Sequence, residues 1–310
     1  MRLLSLFALI GAASAQLFGL SAGVGLIRVY DNGTTLSIGP ALPAELEAQN
    51  LATLDSAGGV YYFVGYNQAK GQPQLVGLSL ATGAVTSAVP LPFAEESFVG
   101  VGQYMAFASD SKLVVLSGQT ADQTHLVITV APATGAYRRV CAIAHEELDV
   151  LGGSAAYVPG AELFVFNLGV NDTIANFVVD LKSGAVVNST NTARGNLESM
   201  VFNPTDQLIY GLGLDIEGQA WNRSIASFDP VALTYSQRGV VPGYGIESGG
   251  ISAINVAAGS IYWIGMQAPY VAGSPLFLIQ NRLADAAIVS VSAELCAADA
   301  ACPWSLEFRQ

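Results

Sequence analysis

Charged residues are scarce in this 310-residue chain: they make up 12% of it, with 12 Lys and Arg against 24 Asp and Glu, where about 25% is typical of globular chains. The formal net charge of −12 argues against nucleic acid or an anionic membrane surface as a partner, because both would repel the chain. Cations, glycans and other proteins remain compatible with it. The two histidines have no HExxH spacing, so they do not indicate a zinc centre.

Cysteine is also scarce, with Cys141, Cys296 and Cys302. The chain is therefore not a small disulfide framework, and an apolar core must hold it together. Cys296 and Cys302 bracket a short Ala-rich loop and are predicted to form a disulfide with each other. Cys141 is then left as a buried free thiol or as one half of an intermolecular bond. We favour the buried thiol, because cysteine is among the most buried residue types.

Long apolar runs are absent after the first 15 residues. Residues 1–15 combine Arg2, an apolar run from Leu3 to Ala12 and the small residues Ala13-Ser14-Ala15, which is the pattern of a secretory signal peptide. The run is too short to span a bilayer. We therefore expect residues 16–310 to be secreted and extracellular, without membrane insertion. Four sequons are predicted to be N-glycosylated in a eukaryotic source: Asn32, Asn171, Asn188 and Asn222.

The chain contains, instead, a repeat of about fifty residues. Six apolar, aromatic-rich segments start 44 to 52 residues apart, at Gln16, Val60, Lys112, Glu162, Leu208 and Ser260. Each is followed by a hairpin-like segment, and in four of these a glycine follows a polar residue in the turn, as in Thr82-Gly83, which is a strong hairpin signal. A strand of smaller residues precedes each aromatic segment. Four antiparallel strands per unit and few helix signals are typical of a β-propeller blade.

The two ends of the chain complement each other. Residues 16–310 begin at the second strand of a unit, and the missing inner strand is supplied by Trp304 to Gln310. We predict an all-β, six-bladed β-propeller with four-stranded antiparallel blades, formed by 16–310 as a single domain. The C-terminal strand is predicted to pair with the N-terminal blade, which closes the ring and leaves no open edge between the ends.

The outer hairpins resemble the broad group of YVTN, NHL and quinoprotein-like propeller repeats. The resemblance is carried by VVDLKSGAV (Val178 to Val186) and LVGLSLATGAV (Leu75 to Val85), and the repeat covers nearly all of residues 16–310. It implies the propeller architecture and very little about activity, since propellers support unrelated functions.

Acidic residues concentrate in the loops that join one blade to the next and the second strand to the third, which a propeller places on the same face. As in six-bladed calcium-dependent lactonases and phosphotriesterases, such carboxylates could converge on Ca²⁺. The candidate ligands are Glu47, Glu147, Glu198 and Glu247, with Asn50 or Asn196. The alternative is that acids on exposed loops keep a weakly charged chain in solution. We favour this alternative, because the sequence has no Asp/Asn-dense calcium loop.

Motifs for catalysis are weak. GLSAG, from Gly19 to Gly23, matches G-x-S-x-G but ends a predicted strand, whereas that motif needs a strand-turn-helix elbow. His145 next to Glu146 and Glu147 is more typical of a solvated loop than of a general base. We therefore predict no catalytic residues and interpret the chain as a non-enzyme.

Two aromatic residues remain as ligand candidates. Trp221 and Tyr270 are predicted on the acidic face, where an aromatic ring among polar groups could hold a sugar. The leading hypothesis is a structural or adhesive glycoprotein that associates with itself or with extracellular glycans or proteins, since a low charged fraction must also show on its outside. The alternatives are a Ca²⁺-dependent hydrolase and a carbohydrate-binding module.

Overall fold

The chain folds into six antiparallel sheets and, in the part that is described, has no helix. The computed structural model describes residues 16–21, 24–98, 104–144, 148–149, 155–170, 173–188, 197–215, 222–245, 252–267, 275–296 and 303–309. Accordingly, no helix among these residues could cross a membrane.

Each sheet is one blade, and blades are numbered here in chain order. Blade 1 contains β1 (Gln16–Ser21), β2 (Gly25–Val29) and β3 (Thr35–Ser37). Blade 2 contains β4 (Leu46–Asp55), β5 (Val60–Asn67), β6 (Gln72–Ser79) and β7 (Val85–Pro90). Blade 3 contains β8 (Tyr104–Ala108), β9 (Leu113–Gln119), β10 (Thr124–Val130) and β11 (Tyr137–Ala144).

The second half of the chain repeats the pattern, and the inner position is divided between two strands in blades 4 and 6. Blade 4 contains β12 (Leu148–Asp149), β13 (Ala156–Val158), β14 (Leu163–Val170), β15 (Thr173–Asp180) and β16 (Val186–Asn188). Blade 5 contains β17 (Leu197–Asn203), β18 (Leu208–Asp215), β19 (Asn222–Asp229) and β20 (Thr234–Val241). Blade 6 contains β21 (Tyr244–Gly245), β22 (Ser252–Asn255), β23 (Ser260–Gln267), β24 (Leu276–Arg282) and β25 (Ile288–Cys296). The last strand, β26 (Pro303–Arg309), belongs to the sheet of blade 1.

The predicted propeller and all six predicted aromatic strands are therefore confirmed, as β1, β5, β9, β14, β18 and β23. β26 pairs antiparallel with β1, with Gln16 opposite Arg309 and Gly19 opposite Leu306. The inner strands contact one another in the order β4, β8, β13, β17, β22, β26 and β4 again. In blades 4 and 6 two short strands share the inner position, since β12 and β13 both pair with β14, and β21 and β22 both pair with β23.

The core consists of six apolar clusters, one between each pair of neighbouring blades. Strand β10 illustrates why so few charges are needed. Leu126, Ile128 and Val130 pack toward blade 2, whereas Val127 packs toward blade 4. Because both faces of a blade are covered by neighbours, its middle strands have few positions left where a charge could reach water. This accounts for the 52% apolar composition.

The turn between the third and fourth strands has a residue with positive φ in every blade. The residues are Gly33 (82°), Gly83 (67°), Gly135 (74°), Gly184 (74°), Leu233 (56°) and Ala286 (59°). The four glycine turns predicted from the sequence are thus confirmed. Blades 5 and 6 adopt the same backbone without glycine, at a cost in strain of about 1–2 kcal/mol per residue.

Candidate functional site

In blades 2 and 3 the loop that enters the blade lies next to the loop between its second and third strands. In blade 2, the Gln68 backbone N–H donates to the Glu45 carbonyl at 2.8 Å. In blade 3, the Ala121 backbone N–H donates to the Ser97 carbonyl at 2.8 Å. We call this side of the propeller the acidic face, because Glu45, Glu95, Glu96 and Asp122 belong to its loops.

Of the six candidate calcium ligands, Glu147, Glu247 and Asn196 lie outside the described residues. Glu198 lies in β17 and Asn50 in β4, but only their backbones are described. Glu47 is exposed, and its Oε2 accepts a hydrogen bond from the Gln68 Nε2 at 3.0 Å. Within the described ranges no three His, Cys, Asp or Glu side chains are close enough to hold a metal ion. A Ca²⁺ site therefore stays a prediction.

A concave site opens on the acidic face between blades 2 and 3. The segment 91–98 builds one wall: the Glu96 N–H donates to the Pro92 carbonyl, and Phe98 forms an isolated β-bridge with Thr120. Buried Leu91 and Phe93 fix this wall to the core. The cavity measures about 410 Å³. Its lining includes Glu95, Glu96, Thr120, Asp122, Leu126 and Arg139.

An ion pair fixes the floor of this cleft. The Glu96 side chain is buried, and its Oε2 lies 2.5 Å from Nη2 of Arg139, most of whose side chain is exposed. Burial alone would raise the pKa of Glu96, but the Arg139 guanidinium beside the carboxylate outweighs burial and leaves the pKa lowered. The same carboxylate, together with burial and Glu95, raises the pKa of Tyr137 to about 12. The sequence gives no direct signal for this pair, since its members are 43 positions apart.

The cleft can hold a ligand but is poorly suited to acid catalysis. Hydrogen bonds from Thr120 and from the Thr124 backbone lower the pKa of Asp122, so Asp122 and Glu96 are both ionised at neutral pH. A general acid needs a carboxyl whose pKa is raised toward the working pH. Neither of these two groups can serve as one. The cleft therefore presents fixed negative charge and one guanidinium group.

The predicted free thiol lies in the seam between blades 3 and 4. Cys141 is half-buried on β11 and packs against the cluster around Tyr104 and Phe166. Burial raises the pKa of its thiol to about 11, so almost no thiolate forms at neutral pH. Cys141 has no disulfide partner among the described residues. Only the backbone of Cys296 is described, opposite Leu276, and Cys302 lies outside the described residues.

The remaining predicted sites are partly described. Asn32 is exposed in the turn between β2 and β3, where its Oδ1 accepts hydrogen bonds from the Thr34 N–H at 3.0 Å and the Thr34 hydroxyl at 2.7 Å. Asn188 ends β16 and Asn222 begins β19, both with only the backbone described. Asn171, Trp221 and Tyr270 lie outside the described residues.

The outermost strands β3, β7, β11, β16, β20 and β25 form the rim of the propeller. Every rim strand exposes a large hydrophobic or aromatic side chain: Leu36 (51%), Val85 (44%), Tyr137 (38%), Val187 (49%), Val240 (43%) and Val289 (55%). Blade 2 carries no charged residue from Gly71 to Ala94. The rim strands of blades 1, 2 and 4 contain no charged residue, whereas β11, β20 and β25 contain Arg138, Arg139, Arg238 and Glu294.

The rim strands are also sheet edges, and they differ in regularity. The outer strand pair has a register shift in blades 2, 3, 5 and 6. The pairings β2–β3 and β15–β16 run without one over their described lengths. Bulges hinder edge-to-edge pairing, so blades 1 and 4 have the more regular edges.

Comparisons with solved structures find propellers at low sequence identity. A chain in the nidogen/laminin complex has a TM-score of 0.63 at 10% identity, covering 96% of this chain and 98% of that one. A TolB-like protein from Agrobacterium tumefaciens has a TM-score of 0.59 at 12% identity, covering 94% and 91%. TolB from Acinetobacter baumannii has a TM-score of 0.62 at 10% identity, covering 95% and 66%.

These likenesses support the six-bladed fold and the resemblance to YVTN- and NHL-type propellers. Neither a protein-family model nor a curated protein sequence matches the chain. At such identities the comparisons establish architecture alone, and function has to be argued from the surface.

Proposed function

We propose that this chain is a secreted, glycosylated, non-enzymatic propeller that works by association, chiefly with further copies of itself through the rim. The observation that carries the proposal is the exposed hydrophobic or aromatic side chain on each of the six rim strands. On two of these strands the exposed apolar side chains are grouped, Val186 with Val187 on β16 and Ile288, Val289 and Val291 on β25, and grouped apolar surface is uncommon on proteins that stay monomeric. A self-associating structural or adhesive protein has a use for them.

Charge favours the rim over the loops as the contact surface between copies. With a formal net charge of −12, two copies repel each other most strongly where their acidic faces meet. The rim strand β7 lies within the charge-free stretch from Gly71 to Ala94 and avoids most of this repulsion. Burying an exposed valine side chain contributes about 1.5 kcal/mol or less, so several rim residues must act together.

Backbone hydrogen bonds at the rim would orient two copies relative to each other. A rim strand has a neighbour on one side, so its outward N–H and C=O groups can pair with a strand of another copy. The regular edge of blade 4 offers Val186 and Val187, both exposed, next to the sequon residue Asn188. A glycan on Asn188 would compete with a second copy for this edge, so glycosylation is expected to limit association there.

Light scattering over a range of concentrations tests the proposal. We expect the deglycosylated chain to associate as concentration rises, and Val187→Lys combined with Val289→Lys to weaken this by tenfold or more in the association constant. Gln237→Lys combined with Thr86→Lys is the matched control, because it adds the same two charges to exposed polar positions of rim strands β20 and β7. A monodisperse monomer at every concentration, or equal effects of the control and the valine changes, would contradict the proposal.

A further inference from the structure

A fully buried histidine lies in the seam between blades 3 and 4. His125 is the second residue of β10, and its ring stacks on Phe166 of β14 with ring centroids 5.1 Å apart. Tyr104 of β8 tilts against both rings, with its centroid 5.7 Å from that of His125. The imidazole is therefore a contact through which blade 3 meets blade 4.

The surroundings of the ring suit only its neutral form. His125 Nε2 lies 3.1 Å from the Ser117 hydroxyl, and Nδ1 is buried without a hydrogen-bond partner. Strand β11 places Ile143 opposite His125, and β14 contributes Phe166. The one titratable group among these contacts is Tyr104, whose hydroxyl donates to the Asn167 carbonyl and stays protonated because burial raises its pKa. None of these described groups carries a negative charge that could balance an imidazolium.

We propose that the seam between blades 3 and 4 is an acid-sensitive joint, closed by neutral His125 and opened by protonation of its ring. The reason is linkage: once the seam opens, water solvates the imidazolium, which the closed seam cannot do. In support, burial lowers the pKa of His125 to about 4. The sign follows from this. In the open form His125 binds a proton below about pH 6.5. The equilibrium therefore shifts from the closed to the open seam as the pH falls from about 6.5 toward 4.

The other titrating groups act in a lower range. Glu96, Asp122, Asp180 and Asp285 have lowered pKa values in the folded chain. The stability they contribute is present above the pKa of an unfolded carboxyl and is lost below about pH 4.5. Measurements between pH 7.5 and pH 5 therefore isolate the histidine from most of the carboxylate effect.

Amide hydrogen exchange of the full chain, corrected for intrinsic rates, tests the joint strand by strand. Between pH 7.5 and pH 5 we expect the opening equilibrium of β9, β10 and β14 to rise by roughly 25-fold. Strands of the opposite seam, between blades 6 and 1, should change little. His125→Phe keeps an aromatic ring on Phe166 but cannot titrate, and it should abolish the response. His145→Gln, which changes the other histidine of the chain, should preserve it.

The wild-type comparison between seams needs no variant and stands even if His125→Phe folds poorly. His125→Gln serves as a second non-titrating variant. An equal acid response in all seams, or an unchanged response of the blade 3–4 seam in a folded His125 variant, would overturn the proposal. These outcomes do not depend on whether the rim binds further copies.

Discussion

At the scale of single residues, an ion pair between neighbouring blades determines the environment of the buried carboxylate Glu96. Glu96 comes from the loop that leaves blade 2, whereas Arg139 comes from the outer strand of blade 3. The carboxylate is buried, whereas the guanidinium is largely exposed to solvent. Such a pair contributes to stability mainly by placing a positive charge beside a buried carboxylate that would otherwise be uncompensated.

Replacing Glu96 by Gln should lower the free energy of unfolding by about 1–2 kcal/mol at pH 7, because a neutral amide cannot form the ion pair with Arg139. The pKa of Glu96 is lowered in the folded chain, so its contribution is present above the unfolded pKa of about 4.3 and is lost as pH falls below that. The difference between the variant and the wild type should therefore shrink toward pH 3. Denaturant titrations at several pH values measure it.

Glu95→Gln is the matched control for this change. Its carboxylate is exposed and accepts a hydrogen bond from the Tyr137 hydroxyl at 3.2 Å, so the neutral amide should cost less than about 0.5 kcal/mol. Equal losses for the two variants would mean that the ion pair with Arg139 is not what stabilises the loop.

At the scale of elements, the glycine turns join one blade to the next as well as two strands within a blade. A Cβ on Gly83 would lie 1.7 Å from the Ile38 carbonyl oxygen of blade 1. A Cβ on Gly184 would lie 2.5 Å from the Val140 carbonyl oxygen of blade 3. The positive φ of this turn favours glycine, and in these two blades the close approach of a neighbouring backbone also leaves no room for a Cβ.

Two glycines of blade 2 allow the effect of a positive φ to be measured separately from the effect of a backbone clash. Gly83 and Gly59 both have φ of +67°, but a Cβ on Gly59 meets nothing within 4 Å. Gly59→Ala should cost about 1 kcal/mol, from the left-handed conformation alone. Gly83→Ala adds a backbone clash and should cost more than about 3 kcal/mol. Thermal and denaturant unfolding measure both, and equal losses would show that the turn does not pack on blade 1 as described.

The sequence predicted the strands well because the repeat supplies six versions of the same pattern. Thr82-Gly83 and its relatives marked the outer turns. The turns at Leu233 and Ala286 were not predicted, because neither residue is a glycine and the sequence therefore gives no sign of a positive φ there. The broken inner strands of blades 4 and 6 were not predicted either, since short segments such as Leu148–Asp149 and Tyr244–Gly245 are too brief for a periodic pattern.

The site residues were harder to predict for a physical reason. Alternation along β10 could have placed His125 on the face of Val127, toward blade 4, although the sequence analysis did not use it. The pair of Glu96 and Arg139 depends on how a loop folds back, and no local pattern encodes that. Residue type alone suggested a ligand ring of glutamates, of which Glu47 is instead engaged with Gln68.

At the scale of the whole molecule, a propeller depends on every seam, because removing any contact between blades opens the ring. Strand β26 is the inner strand of blade 1, and it also contacts β22 of blade 6 and β4 of blade 2. It therefore connects the last blade of the chain to the first. A short strand in this position contributes to two seams and to one sheet at once.

Deleting residues 303–310 should consequently destabilise the entire ring, with a fall in melting temperature of more than about 10 °C or loss of cooperative unfolding. The physical reason is that β1 loses its backbone partners on one side, and that the inner strands β22 and β4 lose the strand between them. Calorimetry measures the effect. Adding a synthetic peptide of residues 303–310 in trans should restore stability in a concentration-dependent way, whereas a scrambled peptide should not. If the shortened chain melts like the full one, the blades are stable without the terminal strand and the ring does not depend on it for closure.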